Sequence, residues 1–181
     1  MPKLSVVVKI DDPLSKALLN EIPLHQLALD EAVLFASSVG AEIIKFTGGS
    51  LLQMLKDLDF DIVIVHDSLR PLVKAEQFEC TLNALDGFDA VRPTLAFTET
   101  IKSVDSAGRL DQTIDREKVR RISSPEVIRK SAIDFEGMTT TWSVPLRSSA
   151  KTAQIEADPA GIRINNADEL QLMNAYLTLD K

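Results

Sequence analysis

Cysteine is almost missing from this chain. Cys80 is the only one in 181 residues, so no disulfide can form within the chain, which fits a reducing cytoplasm. Its helix-like surroundings predict a buried, packed side chain rather than a nucleophile. Basic charge is also in short supply, with 20 Lys and Arg against 27 Asp and Glu and a formal charge of -7. A nucleic-acid surface needs clustered Lys and Arg, and docking on anionic membranes needs the same, so neither partner is expected. The single dense basic patch, Arg116 to Arg121, is too short to alter that. No apolar run approaches the ~18 residues of a membrane span. The apolar start, Leu4 to Ile10, is short and has no cleavage-site pattern, so no leader is expected. Internal repeats, linkers and low-complexity tracts are absent too. What is there is ordinary globular composition, 45% hydrophobic and 26% charged. The length suits one domain with a sizeable core, and 1–181 is read as such.

One stretch organises the rest: Ile62-Val63-Ile64-Val65-His66-Asp67-Ser68-Leu69-Arg70-Pro71. Four β-branched residues in a row predict a strand buried on both faces. The run then changes abruptly to His, Asp, Ser and Arg, and Pro71 ends any pairing. That change marks the carboxyl end of a central strand, where open α/β sheets bind ligands. The fork of Arg70 suits a phosphate, and Asp67 suits a hydroxyl or a metal. The alternative is an Asp–Arg pair that caps the next helix and neutralises itself.

Around this stretch, strands and helices alternate. Leu4 to Ile10 reads as a first strand, broken by Asp11-Asp12-Pro13, and Leu14 to Ser38 as a helix with Gly40 as its C-cap. Ala41 to Phe46 is a second strand, and Ser50 an N-cap for a helix over Leu51 to Leu58. The central strand is followed by a helix over Lys74 to Leu85 and a short strand from Asp89 to Pro93. This pattern predicts a mostly parallel sheet with helices on both faces. Beyond Pro93, an extended piece to Val104, the turn Asp105-Ser106-Ala107-Gly108 and a return over Arg109 to Ile114 predict an inserted β-hairpin. A lone hairpin is unstable in water, so it must pack on something, and a second subunit suits. Ser124-Pro125-Glu126 reads as a helix start. Thr139 to Pro145 and Lys151 to Glu156 read as extended, and Ile162-Arg163-Ile164 as a strand end. Asn166 caps a last helix, Ala167 to Tyr176.

Four segments together resemble a family. His66-Asp67-Ser68-Leu69-Arg70-Pro71 is similar to H-D-A-A-R-P, and Thr98-Glu99-Thr100-Ile101-Lys102 to D-T-[IM]-K. Thr113-Ile114-Asp115-Arg116 with Ser124-Pro125-Glu126 is similar to T-[VL]-D-R…T-P-Q. Asp158 to Ile164, followed by Asp168-Glu169-Leu170, is similar to G-D-x-x-N-I-K-[IV]-T…E-D-L. In this order they resemble the methylerythritol-phosphate cytidylyltransferases of the non-mevalonate isoprenoid pathway. The resemblance implies a Rossmann-like three-layer α/β/α nucleotidyltransferase fold. It also implies an arm at about 94–116 that locks a homodimer. It implies attack by a sugar-alcohol phosphate on the α-phosphate of CTP with Mg²⁺, releasing pyrophosphate. The positions matching the acceptor site are Asp67, Arg70, Thr100, Arg116 and Ser124, with the hairpin residues reaching across from the partner subunit. Lys16, in Lys16-Ala17-Leu18-Leu19, matches a phosphate lysine in P-K-x-L, and Arg163 stands at the family's terminal Lys. These two are the candidate catalytic residues. Asp67 and Asp158 are the candidate metal carboxylates. Read without the family, Arg116 belongs to a solvated basic run and Lys16 is equally an exposed helix lysine.

The nucleotide half departs from the family pattern. Where the family has the Gly-rich A-A-G-x-G-x-R, this chain reads Lys9-Ile10-Asp11-Asp12-Pro13-Leu14-Ser15. Only glycine lets backbone amides come so close to a triphosphate, and two aspartates repel one. The base-binding G-G-x-x-R-x-x-S-V becomes Gly48 to Met54 without Arg, and the acidic T-D-[DE] becomes Thr139-Thr140-Thr141. Arg163 keeps a charge but offers a planar fork in place of a compact ammonium. Two readings follow. One is a family member whose CTP transfer is weak or lost. The other is an active cytidylyltransferase with an unusual donor loop, in which Asp11 or Asp12 reaches the phosphates through Mg²⁺.

Overall fold

The computed structural model describes residues 2–138 and 143–179, the side chain of Leu179 excepted. β1 (Leu4–Lys9) leads into a 3-10 turn, Pro13–Lys16, and a small hairpin of β2 (Leu18–Leu19) and β3 (Ile22–Pro23). α1 (Leu24–Val39), β4 (Glu42–Phe46), α2 (Leu51–Asp57), β5 (Ile62–Asp67), α3 (Ala75–Asn83) and β6 (Ala90–Leu95) follow. An arm of β7 (Ile101–Val104) and β8 (Leu110–Ile114) pairs only within itself. Then come β9 (Arg121–Ile122), β10 (Glu126–Arg129), β11 (Thr152–Glu156) and α4 (Ala167–Leu179).

The main sheet has the order β11-β6-β10-β5-β1-β4, with β9 added to β6. β1 runs parallel to β4 and β5, and β11 parallel to β6. β10 is antiparallel to both its neighbours, β5 and β6. The sheet is therefore mostly parallel, with β10 the reversed strand along that path. The period of two along each strand divides the core. Val6, Val8, Ile62 and Ile64 face α1 and α3, where Phe35 stacks on Phe78 at 5.5 Å. Val7, Val63 and Val65 face α2, packing with Leu51, Leu55 and Phe60. Burial on both faces is why these strands read as unbroken apolar runs. The caps behave as expected. Gly40 takes a left-handed φ of 69° and its amide bonds Ala36, Ser50 accepts from the amide of Gln53, and Asn166 from that of Glu169.

Four expectations need correction. The helix predicted over 14–38 begins only at Leu24. Pro23 cannot sit inside a helix, where it costs about 3 kcal/mol, and Asn20 and Glu21 turn the chain with φ of 50° and 70°. Ser124-Pro125-Glu126 opens a strand, not a helix. Val127 pairs with both Ile64 and Val91, and Glu126, Val127 and Ile128 are buried between β5 and β6. Two ladders and that burial outweigh a capping preference worth about 1 kcal/mol. Cys80 lies exposed on α3 rather than packed, because the buried stripe of that helix is Gln77, Phe78 and Thr81. Ile162 to Ile164 form no strand; the amide of Ile164 instead bonds the carbonyl of Leu69. The threonines at 139–141 lie outside the described residues.

Candidate functional site

Where β5 leaves the sheet, three charged side chains meet. Asp67 is buried; its Oδ1 accepts from the Leu69 amide at 3.1 Å and its Oδ2 from Arg163 Nε at 2.7 Å. Arg70 is also buried, spending Nη1 on the carbonyl of Gly161 (2.7 Å) and Nη2 on that of Ile122 (2.9 Å). It ties the end of the central strand to the segment before α4 and to β9. A side chain added at Gly161 would place its Cβ 2.8 Å from Val73 Cγ2, so only glycine allows this close approach. Among the described residues Arg70 Nε has no hydrogen-bond partner. Burial pulls the Arg70 guanidinium down to about 10, Asp67 holds it up, and Arg163 and Arg121 push it down further. It remains a cation at neutral pH, and the two repulsions place three guanidinium groups within one electrostatic neighbourhood.

Behind Asp67 lies a buried polar pair. Ser124 Oγ accepts from the Asp67 amide (3.0 Å) and lies 2.6 Å from His66 Nδ1. The Ser124 hydroxyl thus bridges the imidazole and the Asp67 amide. His66 Nε2 is left without a partner, and its ring tilts against Phe78 at 4.9 Å. Burial depresses the ring to about 4, with Asp67 raising it and Arg70 lowering it. Ser124 thus fixes the position of Asp67 from within the core.

Arg70, Arg121 and Arg163 line a cavity of about 620 Å³ between the base of the arm and α4. Its walls include Leu95, Ile162, Leu172 and Tyr176. In the sequence Arg121 belongs to the basic run from Arg116 and carries no signal of a site. Its register opposite Leu95 brings it to the cavity, and no local pattern signals that pairing.

The other predicted residues lie apart from this cluster. Lys16 is exposed on the 3-10 turn. Thr100 and Arg116 are exposed at the foot of the arm, where Arg116 Nη1 bonds the carbonyl of Thr98 at 2.7 Å. Asp158 turns the chain before Gly161: its Oδ1 accepts from Ala160 at 2.8 Å and its carbonyl from Gly161. With Asp67 committed to Arg163 and Asp158 to a backbone amide, this pair does not form a ready cage for magnesium. Among the described residues no three His, Cys, Asp or Glu side chains converge to hold a metal.

The segment after β1 is built as a plug. Asp12 Oδ1 caps the 3-10 turn by accepting from Leu14 at 2.9 Å. Leu19 and Leu24 are buried with Leu69 and Ile164, and Leu14, Leu170, Met173 and Leu177 pack against them. Asn174 on α4 seals the hairpin: its Oδ1 accepts from the Asn20 amide at 2.7 Å and its Nδ2 donates to Leu18.

The sequence pattern of one family, IspD: 2-C-methyl-D-erythritol 4-phosphate cytidylyltransferase, matches residues 41–178. The chain belongs to that family. The IspD match leaves β1, the plug and α1 outside it. Among curated relatives, a bifunctional enzyme IspD/IspF of Rhodopseudomonas palustris is 38% identical over 82 residues, 45% of this chain and 21% of its own length. A 2-C-methyl-D-erythritol 4-phosphate cytidylyltransferase of Frankia casuarinae is 32% identical over 106 residues, 54% of this chain and 40% of its own. The matched stretches thus span well under half of those relatives. Two solved structures share the fold. The 4-diphosphocytidyl-2C-methyl-D-erythritol synthase of Anaerococcus prevotii superposes with a TM-score of 0.78 at 20% identity, covering 97% of this chain and 98% of that one. The Thermus thermophilus 2-C-methyl-D-erythritol 4-phosphate cytidylyltransferase gives 0.75 at 16%, covering 97% and 99%. The IspD fold is thus the Rossmann-like α/β architecture described above. Among the described residues no helix is long and apolar enough to cross a membrane.

Proposed function

We propose that this chain is an IspD-family protein that keeps a phosphate-binding acceptor side, at Asp67, Arg70 and Arg163, and has lost most of its grip on CTP. Its ligand is a sugar phosphate or a similar phosphorylated compound, and cytidylyl transfer is weak or absent. One observation carries the reading. The segment that follows β1 is closed on itself by Asp12 and buried under α4 through Leu19, Leu24 and Asn174. A triphosphate cradle needs free backbone amides and glycine. Here the Leu14 amide is already bonded, and Asp11 and Asp12 bring negative charge. Phosphoryl-type transfer rests on positioning and charge stabilisation, so loss of the cradle costs on the order of a thousandfold in rate.

The arm fits the dimer role the resemblance implies. Val104 and Leu110 are 62% and 75% exposed, a large cost for apolar residues unless a second copy covers them. Thr100 and Arg116 at its foot then belong to the partner's site, and a reducing cytoplasm suits the exposed Cys80. The test combines calorimetry with a pyrophosphate-release assay using CTP, Mg²⁺ and methylerythritol phosphate. The expected result is heat from the sugar phosphate, none from CTP·Mg²⁺, and turnover at least about a thousandfold below an active relative. Tight CTP·Mg²⁺ binding with brisk turnover would establish the active enzyme instead.

A further inference from the structure

The cavity beside Arg70 does not match a purely polar ligand. Its cationic groups are concentrated where Arg70 is buried. Its walls are apolar, and several of those apolar residues are left facing water. α4 explains how. Leu170, Met173 and Leu177 turn one face of the helix onto the plug. Leu172 and Tyr176, one turn apart, occupy another face, line the cavity, and are 72% and 61% exposed. Ile162 adds a third exposed apolar side chain to the same lining. Such a stripe opposite arginines is an amphipathic surface that the other described residues of this chain leave uncovered.

The charges at the cavity also leave an opening. Arg163 is matched by Asp67. Glu169 lines the cavity, but its carboxylate is held by the amide and side chain of Asn165 and by Asn166. The Nε of Arg70 is sealed from solvent, but Arg121 is exposed and has no hydrogen-bond or ion-pair partner among the described residues. Glu99 lies close enough to feel Arg121, yet is fully exposed and screened.

We infer that this cavity binds a single-chain amphiphile with a phosphate head and a hydrocarbon body, the head at Arg70, Arg121 and Arg163 and the chain along Ile162, Leu172 and Tyr176. The inference rests on the acceptor-side reading and adds to it the apolar half of the ligand. A volume of about 620 Å³ lies within the range of small-molecule sites, which are mostly apolar with a few polar groups that set orientation. Guanidinium forks bind phosphate in two-pronged fashion, and each buried methylene adds to affinity independently of the head.

The test is a calorimetric titration of the full chain with n-octyl phosphate below its micelle concentration, beside inorganic phosphate, methylerythritol phosphate and n-octanol. Octyl phosphate is expected to bind one site per chain, at least about tenfold tighter than inorganic phosphate, and octanol not measurably. Arg121→Ala is expected to weaken both phosphates about tenfold. Leu172→Gln, at an exposed position, is expected to weaken octyl phosphate about tenfold and leave inorganic phosphate unchanged. Thermal midpoints of both variants show that they fold. If methylerythritol phosphate binds but the octyl chain adds nothing, the amphiphile is excluded and the acceptor-side reading stands. If octyl phosphate binds as expected while CTP is turned over briskly, the amphiphile site and the acceptor side stand and the reading that CTP transfer is lost fails instead. Sedimentation of the protein with phosphatidic acid vesicles, without saturable octyl phosphate binding, assigns the surface to a membrane and overturns the proposal. Failure of every phosphate to bind a dimer whose cavity is covered by its second copy overturns it too.

Discussion

At His66 burial and hydrogen bonding leave a ring that must stay neutral. The side chain is fully buried, Ser124 takes one nitrogen, and the other faces no partner. A folded-state value of about 4 lies below the ordinary 6.5, so the unfolded chain takes up a proton first as pH falls. The sign follows: this group's contribution is fully present above pH 6.5 and is lost as the pH drops toward about 4, on the order of 3 kcal/mol in all. Glu126 pulls the opposite way, because burial pushes its carboxyl up while Arg92 and the Val144 amide draw it down. Urea unfolding at a series of pH values separates the two. His66→Gln should flatten the wild-type slope between pH 6.5 and pH 4. An unchanged slope would show that the ring is hydrated and titrates normally. The same network explains the position of Asp67. Its amide is held by Ser124 and its carboxylate by Leu69 and Arg163, so the acid is fixed in one orientation.

The segment between β1 and α1 shows how a small element redirects a site. Leu19-Asn20-Glu21-Ile22 closes in two residues, both with left-handed φ, the signature of a hairpin turn that favours Asn-Gly. Asn20 suits the first position, but Glu21 carries a side chain into a region that costs an ordinary residue about 1 kcal/mol. Glu21→Gly should therefore raise stability by about 0.5–1 kcal/mol, read as a higher urea midpoint with an unchanged slope. A lower midpoint would mean that the Glu21 side chain makes a contact that outweighs its backbone strain. The turn matters because Asn174 grips its amide, and α4 then lies over Leu19 and Leu24. α4 does two jobs at once: one face closes the plug, and the other builds the cavity wall.

In the whole molecule, assembly and charge meet at the arm. Among the described residues β7 and β8 hydrogen-bond to each other and to no other strand, and Leu110 points an apolar side chain into water. A closed two-fold dimer is the simplest way to cover such a surface. Sedimentation of the wild-type chain should report a dimer. Leu110→Lys with Val104→Lys should report a monomer whose far-ultraviolet dichroism is unchanged. A monomeric wild type would remove the arm from any role in assembly. The chain carries a net charge of -7, so an anion reaches the arginine cluster against the overall field.

Much of this was legible before any coordinates. Ile62 to Val65 declared a buried central strand, because a run apolar on every residue has no side to offer water. Gly40, Ser50 and Asn166 marked helix ends through bonds to amides and carbonyls within a turn of themselves. The break from apolar to Asp67 and Arg70 marked the carboxyl end of the central strand. All of these are local chemistry, decided within a few residues. The tertiary structure decided the rest. Glu126 to Ile128 became a strand because a gap between β5 and β6 offered two ladders. Arg121 joined Arg70 and Arg163 because β9 pairs with β6 far away in the chain. The place after β1 was closed because α4, at the other end of the sequence, packs on it. Such contacts join residues whose separation along the chain carries no periodic signal, and their free energy exists only once the surfaces meet.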